Sequence, residues 1–226
     1  STNSKPLSPL NKFCCSSFVN LDILGRSQST NLFSISNSIS LTNFSFVFGI
    51  IRSFLPNDIT RYGSLDVIAM CCTSLSFSLG PNTVQSELRK GYPAAKQFTD
   101  MATASANAIK HVVSGGGEKL NRRLRIGLLT PYIESVHNSN VRFLRDNGID
   151  VIVQHNLGLT QDTYTSSVAP KSISDIVQAI VKHHSNEKLD AFFIGCSAFR
   201  STGYGFIDQL EQAINIPVVT SNQAVS

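Results

Sequence analysis

The sequence predicts an α/β protein with a mostly parallel sheet, and two observations carry that prediction. From about residue 58 onward, short apolar runs alternate with segments of helical periodicity, the pattern of strands joined by crossover helices. Two of those runs are alike. Leu65-Asp-Val-Ile-Ala-Met-Cys-Cys-Thr-Ser74 and Leu189-Asp-Ala-Phe-Phe-Ile-Gly-Cys-Ser-Ala198 each pass from Leu-Asp through an apolar stretch to a cysteine, then to small or hydroxyl residues. Uninterrupted apolar runs of this length suit strands buried on both faces. A cysteine at the carboxyl end of such a strand faces the crevice where open α/β sheets bind ligands. The spacing of Cys72 and Cys196 fits one thiol in each half of a duplicated fold.

Taken in order, the chain opens differently from the way it continues. Residues 1–57 are rich in Ser, Asn and Phe and carry Asp22 as their sole acid, against Lys5, Lys12, Arg26 and Arg52. The reading is a low-complexity or disordered segment, either wrongly joined to the domain or an organelle transit peptide, since such peptides are hydroxyl-rich and acid-poor. The run Phe44-Ser-Phe-Val-Phe-Gly-Ile-Ile51 suits a strand or a short helix equally. The domain proper is expected over 58–226, truncated at both ends.

Within it, residues 65–70 read as a strand, followed by a loop at 80–82 and a polar segment at 84–90. Residues 98–113 read as a helix capped by Thr99 or Asp100 and ended by the glycines at 115–117. Strand 124–130 leads through the turn at Pro131-Tyr132 to a helix over 135–147, closed by Gly148, and then to strand 149–154. An amphipathic helix over 172–182, strand 191–194, a helix over 205–214 and strand 216–220 complete the alternation. A further helix is expected to begin at 221–226.

Composition narrows the function. At 226 residues and 42% hydrophobic content, the chain can bury a core as one large domain or two lobes. The net charge of +4 is mild, and the basic residues of Arg122-Arg123-Leu-Arg125 lack interleaved aromatic residues, so no nucleic-acid partner is expected. No run of eighteen apolar residues occurs, and no membrane span is expected. Five cysteines, two pairs of them adjacent and none in C-x-x-C spacing, argue against a disulfide framework or a zinc site. Free thiols in a reducing, cytoplasmic setting are the expectation. Organelle import and homodimeric assembly stay open.

Common catalytic and phosphate-binding signatures are absent. The glycines at 115–117 follow no strand and read as a linker, and His183-His184 read as solvated residues at a helix end. The cysteines say more. One buried cysteine at a strand end is usually a small hydrophobe, but two in matching settings suggest chemistry. A helix N-terminus beside each sulfur would lower its pKa. The amides after each cysteine, with the Thr73 and Ser74 hydroxyls, would cradle a carboxylate. A thiol–thiolate pair flanking that carboxylate suits removing a proton from carbon on one face and returning one on the other. Tyr132 is placed either to reach the same crevice or to sit on its rim.

Met70-Cys-Cys-Thr-Ser-Leu-Ser-Phe77, Leu129-Thr-Pro-Tyr-Ile133, Ile194-Gly-Cys-Ser-Ala-Phe199 and Pro217-Val-Val-Thr-Ser-Asn-Gln-Ala224 together resemble the Asp/Glu racemase superfamily. The branch they resemble is that of maleate cis-trans isomerase and arylmalonate decarboxylase, over roughly residues 60–226. The resemblance implies two pseudo-symmetric α/β lobes with the active site in the cleft between them, no metal or organic cofactor, and a small carboxylic acid as substrate. It makes Cys72 and Cys196 the catalytic pair, and Thr73, Ser74 and Tyr132 the carboxylate-binding residues. Ser197 and Ala198 add backbone N–H groups. Cys71 reads as pointing into the sheet, because side chains alternate along a strand. The decarboxylase pattern has glycine where this chain has Cys72, so the expected activity is racemisation or cis-trans isomerisation. An arylmalonate-type decarboxylase and a non-catalytic carboxylate-binding relic are the alternatives. The family's first strand, whose adjoining loop supplies a substrate-binding asparagine, has no convincing counterpart in residues 1–57.

Overall fold

The computed structural model describes residues 14–15, 39–40, 66–91, 93–116, 121–201, 203 and 205–225. Of the N-terminal segment it gives a two-residue antiparallel ladder, β1 (Cys14–Cys15) with β2 (Ile39–Ser40). The expectations for the rest of 1–57, the 44–51 run included, lie outside the described residues.

The first parallel sheet pairs β3 (Val67–Met70) with β4 (Gln97–Asp100), in register from Val67 opposite Gln97 to Met70 opposite Asp100. Between them stand α1 (Thr73–Leu79) and α2 (Pro81–Gly91). Here the sequence misleads. The segment at 84–90 is polar because only Val84 and Leu88, four residues apart on one helical face, are buried. Proline at the first position of α2 costs no hydrogen bond, and Gly80 supplies the left-handed φ of 80° that closes α1. Phe98 is not helical as expected but lies buried in β4, with the Arg89 guanidinium 4.5 Å above its ring. The helix begins instead at α3 (Met101–Ser114), capped by Asp100, one of the two residues named for that role. Asp100 accepts from the Thr103 amide at 2.9 Å, and from the Thr103 hydroxyl and the Gln85 side chain at 2.9 and 2.8 Å.

The second sheet has four parallel strands in the order β6 (Ile149–Leu159), β5 (Leu124–Tyr132), β7 (Ala191–Ile194), β8 (Val218–Thr220). Its helices are α4 (Glu134–Asp146), α5 (Asp162–Ser167), α6 (Pro170–His183), α7 (Phe206–Ile214) and α8 (Ser221–Val225). Both faces are covered. Phe77, Ala102, Ala106, Ile109, Val141 and Leu144 from α1, α3 and α4 pack on Ile126, Leu128, Phe193 and Val219. Ile173, Val177 and Leu210 from α6 and α7 pack on Leu129, Phe192, Ile194 and Val218. Successive strand residues therefore bury in opposite directions, which is why these strands read as unbroken apolar runs. Among the described residues no helix is long and apolar enough to cross a membrane.

The repeated Leu-Asp has a shared use. Asp66 precedes β3 and pairs with Lys96 beside β4, while Asp190 precedes β7 and takes a bidentate contact from Arg122 beside β5, at 2.7 and 2.8 Å. Asp190 also accepts from the Arg125 amide at 2.8 Å. Arg122 holds the Asp190 carboxyl below the usual carboxylate range. Asp190, largely buried, thus ties the start of β7 to the start of β5, whereas the Asp66–Lys96 pair is exposed and adds little.

Gly127 in β5 is dictated by packing. A Cβ there would lie 2.4 and 2.5 Å from the Phe192 ring on β7. Gly127→Ala is expected to destabilise the fold by about 1–3 kcal/mol, measured as a lower urea midpoint with an unchanged m-value.

Candidate active site

Strand β7 is fully buried, and Gly195 continues its pairing by donating to the Leu129 carbonyl at 2.9 Å. A Cβ at Gly195 would sit 3.2 Å from the Phe193 ring and 3.3 Å from Thr130 Cγ2, so glycine lets the strand end lie close to β5. Cys196 comes next, 2% exposed. The chain then turns through Ser197 and Ala198, which brings the Ala198 amide back to Cys196 Sγ at 3.3 Å. The Tyr132 hydroxyl donates to the same sulfur. Burial nevertheless dominates and pushes the Cys196 thiol up to about 12, with Tyr132 and the Ala198 and Phe199 amides opposing it and the Asp162 carboxylate reinforcing it. Cys196 is therefore a protonated thiol at neutral pH. This corrects the expectation of a helix starting directly after each cysteine, since the chain turns after Cys196 and α7 begins only at Phe206.

Tyr132 is aimed by its own support. The β5–β6 register shifts between Thr130 and Tyr132, and Asn156 on β6 donates to the Tyr132 carbonyl at 3.1 Å. Two residues earlier on β5, Thr130 Oγ1 lies 2.9 Å from His137 of α4, whose other ring nitrogen is 3.1 Å from Gln154 Oε1. With Gln154 accepting from Nε2–H, Nδ1 accepts from the Thr130 hydroxyl. Burial lowers the His137 pKa, so the ring is neutral and the network holds the end of β5 without a charge. Sequence reasoning misses His137, Gln154 and Asn156. Their one signal is a histidine placed one helical turn inside the helix after Thr130-Pro-Tyr132, which the structure keeps in β5 instead of the expected turn.

Cys72 stands differently. It is the extended residue (φ −122°, ψ 107°) that caps α1, and its carbonyl accepts from the Ser76 amide at 3.0 Å. The first-turn amides of α1 lack helical acceptors of their own and point back past this residue. Cys72 Sγ lies 3.6 Å from Ser74 Oγ. Thr73 is fully buried, and its Oγ1 has no hydrogen-bond partner among the described residues. A buried hydroxyl in that state costs about 1–3 kcal/mol, which a bound acceptor at the helix end would offset. Cys71 is buried with Ala69, Met101 and Val225, on the alternate side of the strand, as its position required.

The seven residues nominated from sequence fall into two groups. Tyr132 and the Ala198 amide meet at the Cys196 sulfur, with Ser197 in the turn between Cys196 and Ala198, and Cys72, Thr73 and Ser74 form the other cluster at the start of α1. A cavity of about 500 Å³ among the described residues lies elsewhere, between the first sheet, α3 and α8, and includes none of the seven.

A family model described as arylmalonate decarboxylase matches residues 42–226. Among solved structures, an arylmalonate decarboxylase double mutant in a liganded form matches with a TM-score of 0.62 and 20% identity, over 78% of this chain and 71% of that one. The maleate isomerase of Pseudomonas putida S16 matches with a TM-score of 0.58 and 20% identity, over 71% and 61%. A cysteine-to-serine mutant of Nocardia farcinica maleate cis-trans isomerase, with a covalently bound succinylcysteine intermediate, matches with a TM-score of 0.58 and 16% identity, over 73% and 64%. At these identities the likeness is one of fold. No curated protein sequence matches at a significant level.

The Cys196 environment makes a stability prediction. A thiol raised from its ordinary 9.0 to about 12 by folding stabilises the native state fully below pH 9, and that contribution is lost as pH rises toward 12. Between pH 8 and pH 10 the wild type should therefore lose about 1 kcal/mol more than Cys196→Ala, read from urea unfolding at the two pH values.

Proposed function

The chain belongs to the arylmalonate decarboxylase family, and from that premise we propose that it is a cofactor-independent enzyme for a small carboxylic acid, a racemase or cis-trans isomerase in which Cys72 and Cys196 carry the chemistry. The observation that carries the reading is the contrast between the two thiol environments. Cys72 caps a helix beside a buried, unpartnered hydroxyl, whereas Cys196 is a buried thiol kept protonated. The first setting suits an anion, with the α1 amides, Thr73 Oγ1 and Ser74 receiving a substrate carboxylate. The second suits a proton donor.

With an unsaturated diacid, the Cys72 thiolate adds to one alkene carbon while the Cys196 S–H delivers its proton to the other. The product is a saturated thioether that rotates about the new C–C single bond. The Cys196 thiolate, a strong base in its buried site, then takes a proton back, the C–S bond breaks and Cys72 leaves as thiolate. The succinylcysteine intermediate of the Nocardia farcinica isomerase, a saturated adduct on cysteine, supports this order of events by analogy. With an acidic α-hydrogen instead, the Cys72 thiolate removes it, Thr73, Ser74 and Tyr132 hold the enediolate charge, and Cys196 protonates the opposite face.

A second reading is favoured by the family model itself, whose description names a decarboxylase. Loss of carbon dioxide from a malonate leaves an enediolate that Cys196 protonates, and Cys72 is then dispensable.

Proton–deuterium exchange separates these. Aspartate, maleate and a methyl-aryl malonate are incubated in D2O with wild type, Cys72→Ser and Cys196→Ser and monitored by NMR. The two-thiol reading predicts exchange or isomerisation that falls by about 10²–10⁴-fold in both variants. Malonate turnover lost only in Cys196→Ser would replace it with the decarboxylase. Wild-type protein that turns over none of the three would sink both.

A further inference from the structure

The motif Pro217-Val-Val-Thr-Ser-Asn-Gln-Ala224 has so far supplied a strand and the start of a helix. We propose that Asn222 is a positioning residue for Cys196, acting through the peptide that joins Ser197 to Ala198. This rests on the reading of Cys196 as the proton donor.

The geometry is that of a peptide held from both sides. Asn222 Nδ2 donates to the Ser197 carbonyl at 3.2 Å and to the Phe199 carbonyl at 3.5 Å. The Ser197 carbonyl and the Ala198 N–H belong to one planar unit, and in a trans peptide they point in opposite directions. Fixing the carbonyl toward Asn222 therefore fixes the N–H toward Cys196 Sγ, 3.3 Å away. A donor on the carbonyl also polarises the peptide and strengthens the N–H as a donor on its far side. That N–H opposes the burial that raises the thiol pKa. It would grip the thiolate more strongly than the thiol once the proton has been given up.

Asn222 can do this because its own support is independent of the loop it holds. Thr220 ends β8, and its Oγ1 accepts from the Gln223 amide at 3.1 Å, so the strand runs directly into α8 with a side-chain cap. The far end of α8 rests on the first sheet, where Val225 packs against Ala69, Cys71 and Met101. Cys71 is the residue before Cys72. The five-residue helix thus reaches from the loop after Cys196 to the strand that carries Cys72, and Asn222 is its contact on the Cys196 side.

The test uses Asn222→Ala and Asn222→Ser, with two readouts. One needs no substrate: hydrogen exchange of the Ala198 amide, and iodoacetamide labelling of Cys196 resolved by peptide mass spectrometry from pH 7 to 11. The other is kcat and KM on whichever acid the wild type turns over. Both variants should exchange the Ala198 amide about tenfold faster, and the rise of Cys196 labelling with pH should move to higher pH, so that labelling at fixed pH falls about tenfold, while labelling of Cys71 stays unchanged. In an active enzyme kcat should fall by about tenfold with KM within about twofold. A variant that is folded by circular dichroism and matches wild type in Ala198 exchange and Cys196 labelling overturns the proposal. So does one in which Cys196 labels faster or Cys71 labelling changes to the same degree, since that marks general loosening. If the wild type has no turnover, the catalytic reading fails, and the exchange and labelling still decide whether Asn222 holds the loop.

Discussion

Strand β7 is buried at every residue, and its pairing with β5 decides where both strands end. Asp190 locks the start of the pair to Arg122 and to the Arg125 amide, and the Gly195 amide bonded to Leu129 closes it at the other end. Between those points the Phe192 ring fills the space left by Gly127, so the two strands cannot slip or separate without losing contact or creating overlap. Tyr132 and Cys196 are the residues that emerge from this clamp. Their meeting at one sulfur is a consequence of strand register.

Burial then sets the chemistry of that sulfur. A thiol in a dry strand end stays protonated despite a phenol and backbone amides that favour its anion. Cys72 is buried too, but it is a helix cap with the Ser74 hydroxyl 3.6 Å from its sulfur. The two strand ends look alike in sequence, yet one runs into a helix and the other into a turn. In the proposed mechanism function divides along that difference, with one thiol suited to acting near an anion and the other to holding a proton. The neutral network of Thr130, His137 and Gln154 steadies the end of β5 without adding a charge that would disturb the division.

Much of this architecture is legible in the residues. The alternation of strands and helices and the strand over Ala191–Ile194 follow from apolar runs that only a doubly covered parallel sheet can bury. The paired cysteine segments are visible because each repeats Leu-Asp before its strand, and each aspartate proves to pair with a basic residue beside the neighbouring strand. What escapes is short or tertiary in origin. Strand β4 is Gln-Phe-Thr-Asp, with one large apolar residue to betray it, and α1 is Thr-Ser-Leu-Ser-Phe-Ser-Leu, whose period of two imitates a strand. The helix after Cys72 and its absence after Cys196 cannot be told apart locally, because both cysteines precede small and hydroxyl residues. The desolvation of Cys196 depends on Leu129, Ile194 and Phe199 closing around it, which no local pattern encodes.

The central claim is that Cys72 and Cys196 serve one carboxylate site. It is tested most directly by site-resolved alkylation of both thiols in the presence of increasing malonate, with acetate as a weaker carboxylate control. A shared site predicts that malonate slows labelling of Cys72 and Cys196 with the same half-saturation, while Cys71 is unaffected. Protection of one thiol alone, or of the two with clearly different half-saturation, would contradict it.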